Sequence, residues 1–185
     1  MKKKLFISVV AVALVACFAI GGTLAWLTDK TESKVNTFTV GDIDIDLTET
    51  TSNYKMIPGY TIAKDPKVSV TADSEDCYLF VKVEESANFG SFMTYDMATG
   101  WEKLKGEDGV YYRVVNSTDE IREFSVLKND QVSVSGEVTK EALNALKEET
   151  YPTLTFTAYA VQLHKNNTQD FTATEAWAAV NPATP

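Results

Sequence analysis

His164 is the only histidine in this 185-residue chain, Cys77 is one of two cysteines, and Asp42, Asp44 and Asp46 alternate along one short stretch. Each could do chemistry in the right company. Catalytic zinc usually takes three protein ligands, commonly including two or more histidines. No HExxH motif supplies them here. His164 precedes Lys165-Asn166-Asn167, a loop signal, so it reads as a solvated turn residue, with a metal ligand or a pH switch as the alternative. A Cys–His dyad would require Cys77 beside His164. Yet Cys77 alternates with Leu79, Val81 and Val83, the pattern of a buried, inert thiol. A serine nucleophile would lack the GxSxG elbow, and no glycine-rich phosphate loop occurs. The three aspartates would stand about 7 Å apart along one strand face. Clustered carboxylates can attract calcium, but these lack the glycine and distal glutamate of an EF-hand loop. A solvated face, or charge that protects a sheet edge, is the other reading. Trp101, Tyr111 and Tyr112 alternate on a hairpin and suit either a core or a polysaccharide-binding surface. Asn116-Ser117-Thr118 and Asn166-Asn167-Thr168 fit the glycosylation sequon. The expectation is a protein with no catalytic residues, no metal site and no cofactor.

A different chemistry is written at the N-terminus. Lys2, Lys3 and Lys4 precede an apolar run over residues 5–20, and Thr23 and Ala25 stand three and one before a cut that would leave Trp26 as the new N-terminus. These are the parts of a secretory signal peptide. Two other readings fit some of the same residues. Residues 5–27 are long enough to cross a bilayer as an uncleaved anchor, since about 20 apolar residues suffice. Leu14-Val15-Ala16-Cys17 has the form of a lipobox, although Cys17 is followed by apolar Phe18-Ala19-Ile20 and not by a polar tether.

Losing residues 1–25 removes three lysines and no acid, which takes the net charge of −9 to −12. A polyanion repels nucleic acid and anionic lipid, so neither is an expected partner; membrane contact is expected only through the uncleaved signal segment. Cys77 is then the only cysteine, so no internal disulfide forms. Stability must come from a core, which some 160 residues can supply.

The elements that follow read as strands. In NTFTVGDIDIDLTE, Ile43, Ile45 and Leu47 point one way and the aspartates the other. Pro58-Gly59 marks a turn before Val68 and Val70. CYLFVKVEES puts Cys77, Leu79, Val81 and Val83 on one face and Tyr78, Phe80, Lys82 and Glu84 on the other. WEKLKGEDGVYYRVV reads as a hairpin turning at Glu107-Asp108-Gly109. EFSVL and QVSVSG are short strands, and YPTLTFTAYAVQL is the strongest strand signal. Thr139 caps one short helix, with Val138 and Leu143 as a hydrophobic staple, and Thr172 with Glu175 forms a capping box ahead of another. Half-buried faces imply antiparallel pairing. The fold expected is all-β: a jelly-roll-like antiparallel β-sandwich with one or two short helices over residues 41–185, preceded by a signal peptide (1–25) and an N-terminal arm with the first strand (26–40).

The stretch GGTLAWLTDKTESKVNTFTVGDIDIDLTE resembles the N-terminal signature of the TasA/camelysin family of exported proteins of Gram-positive bacteria. IPGYTIAKDPKVSV is similar to that family's Pro-Gly turn and Lys-Asp strand start, and LTFTAYAVQ to its closing strand. The resemblance implies a jelly-roll sandwich and cleavage between Ala25 and Trp26 by a signal peptidase of the SipW type. It implies self-association into fibres, or association with other matrix proteins, at the cell surface or in the biofilm matrix. The freed arm of one subunit would add a strand to the next, with Trp26, Leu27, Val35, Phe38 and Val40 as its apolar anchors. For camelysin itself it implies instead a cell-surface metallopeptidase that cleaves casein.

Overall fold

The computed structural model describes residues 43–50 and 54–181. In sequence order these form β1 (Ile45–Thr48), β2 (Thr61–Ala63), β3 (Lys67–Val70), β4 (Cys77–Glu85), α1 (Phe89–Phe92), β5 (Met93–Thr94), β6 (Glu102–Lys103) and β7 (Val110–Val115). There follow β8 (Glu123–Ser125), β9 (Gln131–Val134), α2 (Lys140–Ala145), β10 (Leu154–Gln162), β11 (His164–Asn166), β12 (Gln169–Asp170) and α3 (Ala173–Val180). Every strand pairing among them is antiparallel.

Two layers result. One is a four-stranded sheet in the order β10-β4-β7-β6. The other consists of two three-stranded sheets, β1-β3-β8 and β2-β9-β5. Main-chain bonds extend each sheet, Val126 N donating to Pro66 O (2.9 Å) beyond β8–β3 and Lys64 N to Asp130 O (2.8 Å) beyond β2–β9, and Ala98 N donating to Val126 O (2.9 Å) joins the two. The backbone passes from layer to layer as it goes, β3 to β4, β4 to β5, β5 to β6, β7 to β8 and β9 to β10. This is the all-β sandwich expected from the alternation.

The alternating residues land where the pattern puts them. Cys77, Leu79, Val81 and Val83 of β4 face Val68, Val70 and Val126 across the interior, and all are buried. Ile43, Ile45 and Leu47 pack partly buried against the same cluster, while Asp44 and Asp46 are exposed. Pro58-Gly59 makes its turn, closed by Tyr60 N donating to Ile57 O (3.1 Å) with Gly59 at φ 76°. A second cluster, built around Phe89, Leu127, Val132 and Val134, lies under β2-β9-β5.

The face of β4 that carries Tyr78, Phe80, Lys82 and Glu84 is covered in part. Phe80 is fully buried there, together with Leu104, Val110, Ala176 and Trp177. The cover is α3, whose N-terminus carries the expected capping box: Glu175 N donates to Thr172 Oγ1 (3.3 Å) and Thr172 N to Glu175 Oε2 (2.9 Å). Thr139 caps α2 as expected, accepting from Ala142 N (3.1 Å). The third helix, α1, is a single turn that the pattern does not indicate.

Candidate functional site

Strand β10 positions the feature with most capacity for interaction. Its nine residues, LTFTAYAVQ, pair without a bulge from Leu154↔Glu85 to Gln162↔Cys77 on β4. Among the described residues nothing pairs along its other side. An unpaired edge exposes a row of N–H and C=O groups, and proteins commonly blunt such edges with charge, proline, a bulge or brevity. β10 has none of these. The other edges of the two layers are guarded: β6 and β5 are two residues long, β2 and β8 are three, and β1 is flanked and interrupted by Asp44 and Asp46.

The side chains along this edge are half covered. Leu154, Phe156, Ala158 and Ala160 pack against the main core without being fully buried, as do Ile43, Ile45 and Leu47 on the β1 side. Ala158 and Ala160 are small where the opposite strand carries Val81 and Leu79. The far end of β1 is tied down by polar contacts. Lys64 Nζ meets Glu49 Oε1 (2.6 Å), and Tyr54 Oη donates to the same oxygen (2.6 Å). Burial, with that hydrogen bond, pushes the Tyr54 phenol above its ordinary pKa.

His164 is exposed on the β11–β12 hairpin, as a solvated turn residue should be, but both of its ring nitrogens are engaged. Its Nδ1 lies 2.6 Å from Asp170 Oδ1 and its Nε2 3.2 Å from Asp76 Oδ2. The hydrogen bond to Asp170, and then that to Asp76, raises its pKa above the ordinary 6.5. Asp76 is held below the usual carboxylate range, chiefly by the Ser117 N–H. A ring bracketed by two carboxylates is an imidazolium clamp, and it ties the β11–β12 hairpin to the start of β4. Sequence reasoning missed the clamp. Asn166-Asn167-Thr168 between His164 and Asp170 is a hairpin signal that could have suggested the near pair. Asp76 comes from 88 residues away.

The remaining candidates resolve into structure. Cys77 is fully buried, and burial pushes its thiol up to about 11, so it is no nucleophile. No dyad links it to His164, whose two nitrogens are already engaged. Trp101 is buried, with Nε1 donating to Ser125 O (2.9 Å); Tyr111 packs on the main core, and Tyr112 Oη donates to Glu102 Oε2 (2.9 Å) from the α3 side. These aromatics serve the cores. Asp44 and Asp46 share an outward face, and Asp42 lies outside the described residues. Ala25, Trp26, Leu27, Val35, Phe38 and Val40 also lie outside them, so the cleavage site and the arm have no place in this geometry.

The model of the family described as camelysin metallo-endopeptidase matches residues 1–176. The chain belongs to this family. No curated protein and no solved structure matches it.

The family description implies a metal. Among the described residues no three His, Cys, Asp or Glu side chains converge as a metal would need. The one histidine presents one nitrogen to each of two carboxylates, so neither nitrogen is open to a metal. The donor set that the described residues of this camelysin-family protein present therefore does not fit catalytic zinc.

Proposed function

We propose that this protein is a secreted, non-enzymatic structural component of the cell surface or extracellular matrix, which assembles by strand addition. After cleavage between Ala25 and Trp26 by a signal peptidase of the SipW type, residues 26–40 of one subunit pair along β10 of the next. The observation that carries this reading is the long, uncharged edge of β10, unpartnered among the described residues. Strand addition satisfies the main-chain groups of such an edge, and side-chain pockets set the register.

The arm's sequence suits the edge. In NTFTV, Phe38 and Val40 alternate with threonines as Phe156 and Ala158 alternate with Thr155 and Thr157. Large residues in the arm would fill the space left by Ala158 and Ala160. Each well-buried apolar anchor contributes about 1.5–3 kcal/mol. Ordering each arm residue costs about 1–2 kcal/mol. The near balance makes assembly sensitive to conditions. Head-to-tail addition with a rotation that does not close yields a filament. While residues 1–25 remain attached the arm is tethered, so cleavage both releases the protein and permits assembly.

Electron microscopy of protein beginning at Trp26, beside protein beginning at Gly41, tests this. Filaments from the first and none from the second are expected. Equal filament formation by both removes the arm from the mechanism.

The family description favours a second reading, a camelysin-type metalloendopeptidase. Casein cleavage that a chelator abolishes would support it. Assembly by strand addition without enzymatic activity predicts no such cleavage.

A further inference from the structure

Arg113 is half-buried at a strand position whose neighbours face the core. On β7, Tyr111, Arg113 and Val115 alternate toward the interior, and Arg113 pairs across with buried Leu79. Its guanidinium lies 3.6 Å from the Phe124 ring centroid and 5.4 Å from that of Trp101. No hydrogen bond or ion pair to it occurs among the described residues, and its Nε is buried without a partner. Burial pushes its pKa below the ordinary value. Desolvating a charge is expensive unless it is paired, and stacking on aromatic faces offsets only part of that. The backbone makes room for this arrangement. Gly100 sits at φ 93°, and a Cβ there would come within 2.8 Å of Arg113 Nη2.

The guanidinium borders an open groove of about 590 Å³, lined also by Ala98, Thr99, Ile121, Phe124 and Glu123. That is the size of a small-ligand or peptide-residue site. One wall is the loop over residues 116–122, and it is braced. Ser117 N donates to Asp76 Oδ1 (2.6 Å), Asn116 N to Asp119 Oδ2 (2.8 Å), and Arg122 Nη2 to Ser74 O (3.0 Å). Ile121 stands 72% exposed on this wall. Asp119, Glu120 and Glu123 make the rim acidic, although Glu123 already faces Lys67 Nζ (3.6 Å).

With aromatic rings against its faces and Nε buried, the Arg113 guanidinium keeps its two terminal nitrogens for recognition, and that Nη1–Nη2 edge matches a carboxylate bidentately. The acidic rim repels phosphates and polyanions and suits a lone carboxylate flanked by positive charge. Ile121 suits an apolar neighbour. We propose that this groove binds a peptide carboxylate: the carboxylate takes the edge of Arg113, an adjoining apolar residue lies over Ile121, and a basic residue meets Glu120 and Glu123. The carboxylate can come from the C-terminus of a peptide or from an internal Asp or Glu. The groove lies on the β7–β8 side of the sandwich, with β4 between β7 and β10, so it is separate from the edge proposed for assembly.

The test is an NMR titration of the ¹⁵N-labelled protein, following the Arg113 Nε–H signal and the Ile121 amide. Three peptides serve as probes: acetyl-Lys-Gly-Leu as the free acid, the same peptide as its amide, and acetyl-Lys-Glu-Leu amide. At least one carboxylate peptide should shift both signals and bind about 10-fold or more tightly than the neutral amide. Binding by the free acid alone assigns a C-terminus; binding by the Glu peptide alone or by both admits an internal carboxylate. Arg113→Gln should abolish the preference for acid over amide, and Arg113→Lys should weaken it without abolishing it. Equal affinity for all three peptides, no shift at millimolar concentration, or an unchanged preference in R113Q overturns the proposal. The acid-against-amide comparison on the unaltered protein decides the matter even if a variant folds poorly.

Discussion

His164 Nδ1 lies 2.6 Å from Asp170 Oδ1, directly across the β11–β12 hairpin, while its other nitrogen faces Asp76 at the start of β4. The pair ties a surface hairpin to the central sheet by charge. Because the folded pKa of His164 is raised above 6.5, its stabilisation is fully present below that value and is lost as pH rises through the folded value. NMR titration of the His164 ring should give a pKa above 6.5, lowered by Asp170→Asn and by a smaller amount by Asp76→Asn. An unshifted histidine would contradict the clamp.

The rings of Phe80 and Trp177 have centroids 5.4 Å apart, and Tyr159 meets Trp177 edge-on at 5.2 Å. Trp177→Ala should cost about 3–5 kcal/mol in urea unfolding, because it empties the cluster beneath α3. Trp177 Nε1 is buried without a hydrogen-bond partner. Trp177→Phe should therefore lose much less than Trp177→Ala, since it removes an unsatisfied donor along with part of the ring. Equal losses would show that the indole N–H matters in a way the geometry does not contain.

Gly109 sits at φ 71° and its carbonyl accepts from Val83 N (2.7 Å). A Cβ at this position would run into Val83 O. Gly109→Ala should destabilise by roughly 2–4 kcal/mol, combining backbone strain with loss of register between β4 and β7. Gly106 also has positive φ, 91°, but faces open space. Gly106→Ala should cost only about 1 kcal/mol, and thermal melts of the two variants separate the two effects.

Local signals in the sequence are readable where one stretch of residues decides the outcome. The alternation from Cys77 to Val83 identifies a half-buried strand, and Thr172 with Glu175 marks the start of α3. Both features depend on neighbours a few residues away. Phe80 reads as part of the face with Tyr78, Lys82 and Glu84, and nothing near it announces that Trp177, nearly a hundred positions on, will cover it. Arg113 escapes notice for a related reason: only the position of Phe124 and Trp101 turns a charged residue on a strand into a half-buried guanidinium stacked on aromatic rings. The clamp on His164 needs Asp76 from a distant loop. The open edge of β10 is half legible. Its lack of charge and proline can be read, but its position at the end of a sheet cannot.

Glu175 is held down to about 2, first by Lys165 and then by the Thr172 N–H and hydroxyl. A depressed carboxylate contributes stability above its unfolded pKa and loses it as pH falls through the folded value. The start of α3 should therefore lose amide protection progressively as pH falls from 4.5 towards about 2. Thr172→Ala should remove about 1 kcal/mol and bring forward the acid fraying of α3. Hydrogen exchange at the Ala173–Val180 amides reads both effects.

The central claim, that residues 26–40 of one subunit pair with β10 of another, is tested most directly by cross-linking between differently tagged copies. Val35→Cys and Thr155→Cys, placed in separate copies of the protein beginning at Trp26, are mixed under conditions where filaments grow and then oxidised. Disulfides joining the two tags are predicted. If the same pair of cysteines within one copy instead closes quantitatively on itself, and the mixed copies yield no joined product, the arm belongs to its own subunit and the account is contradicted.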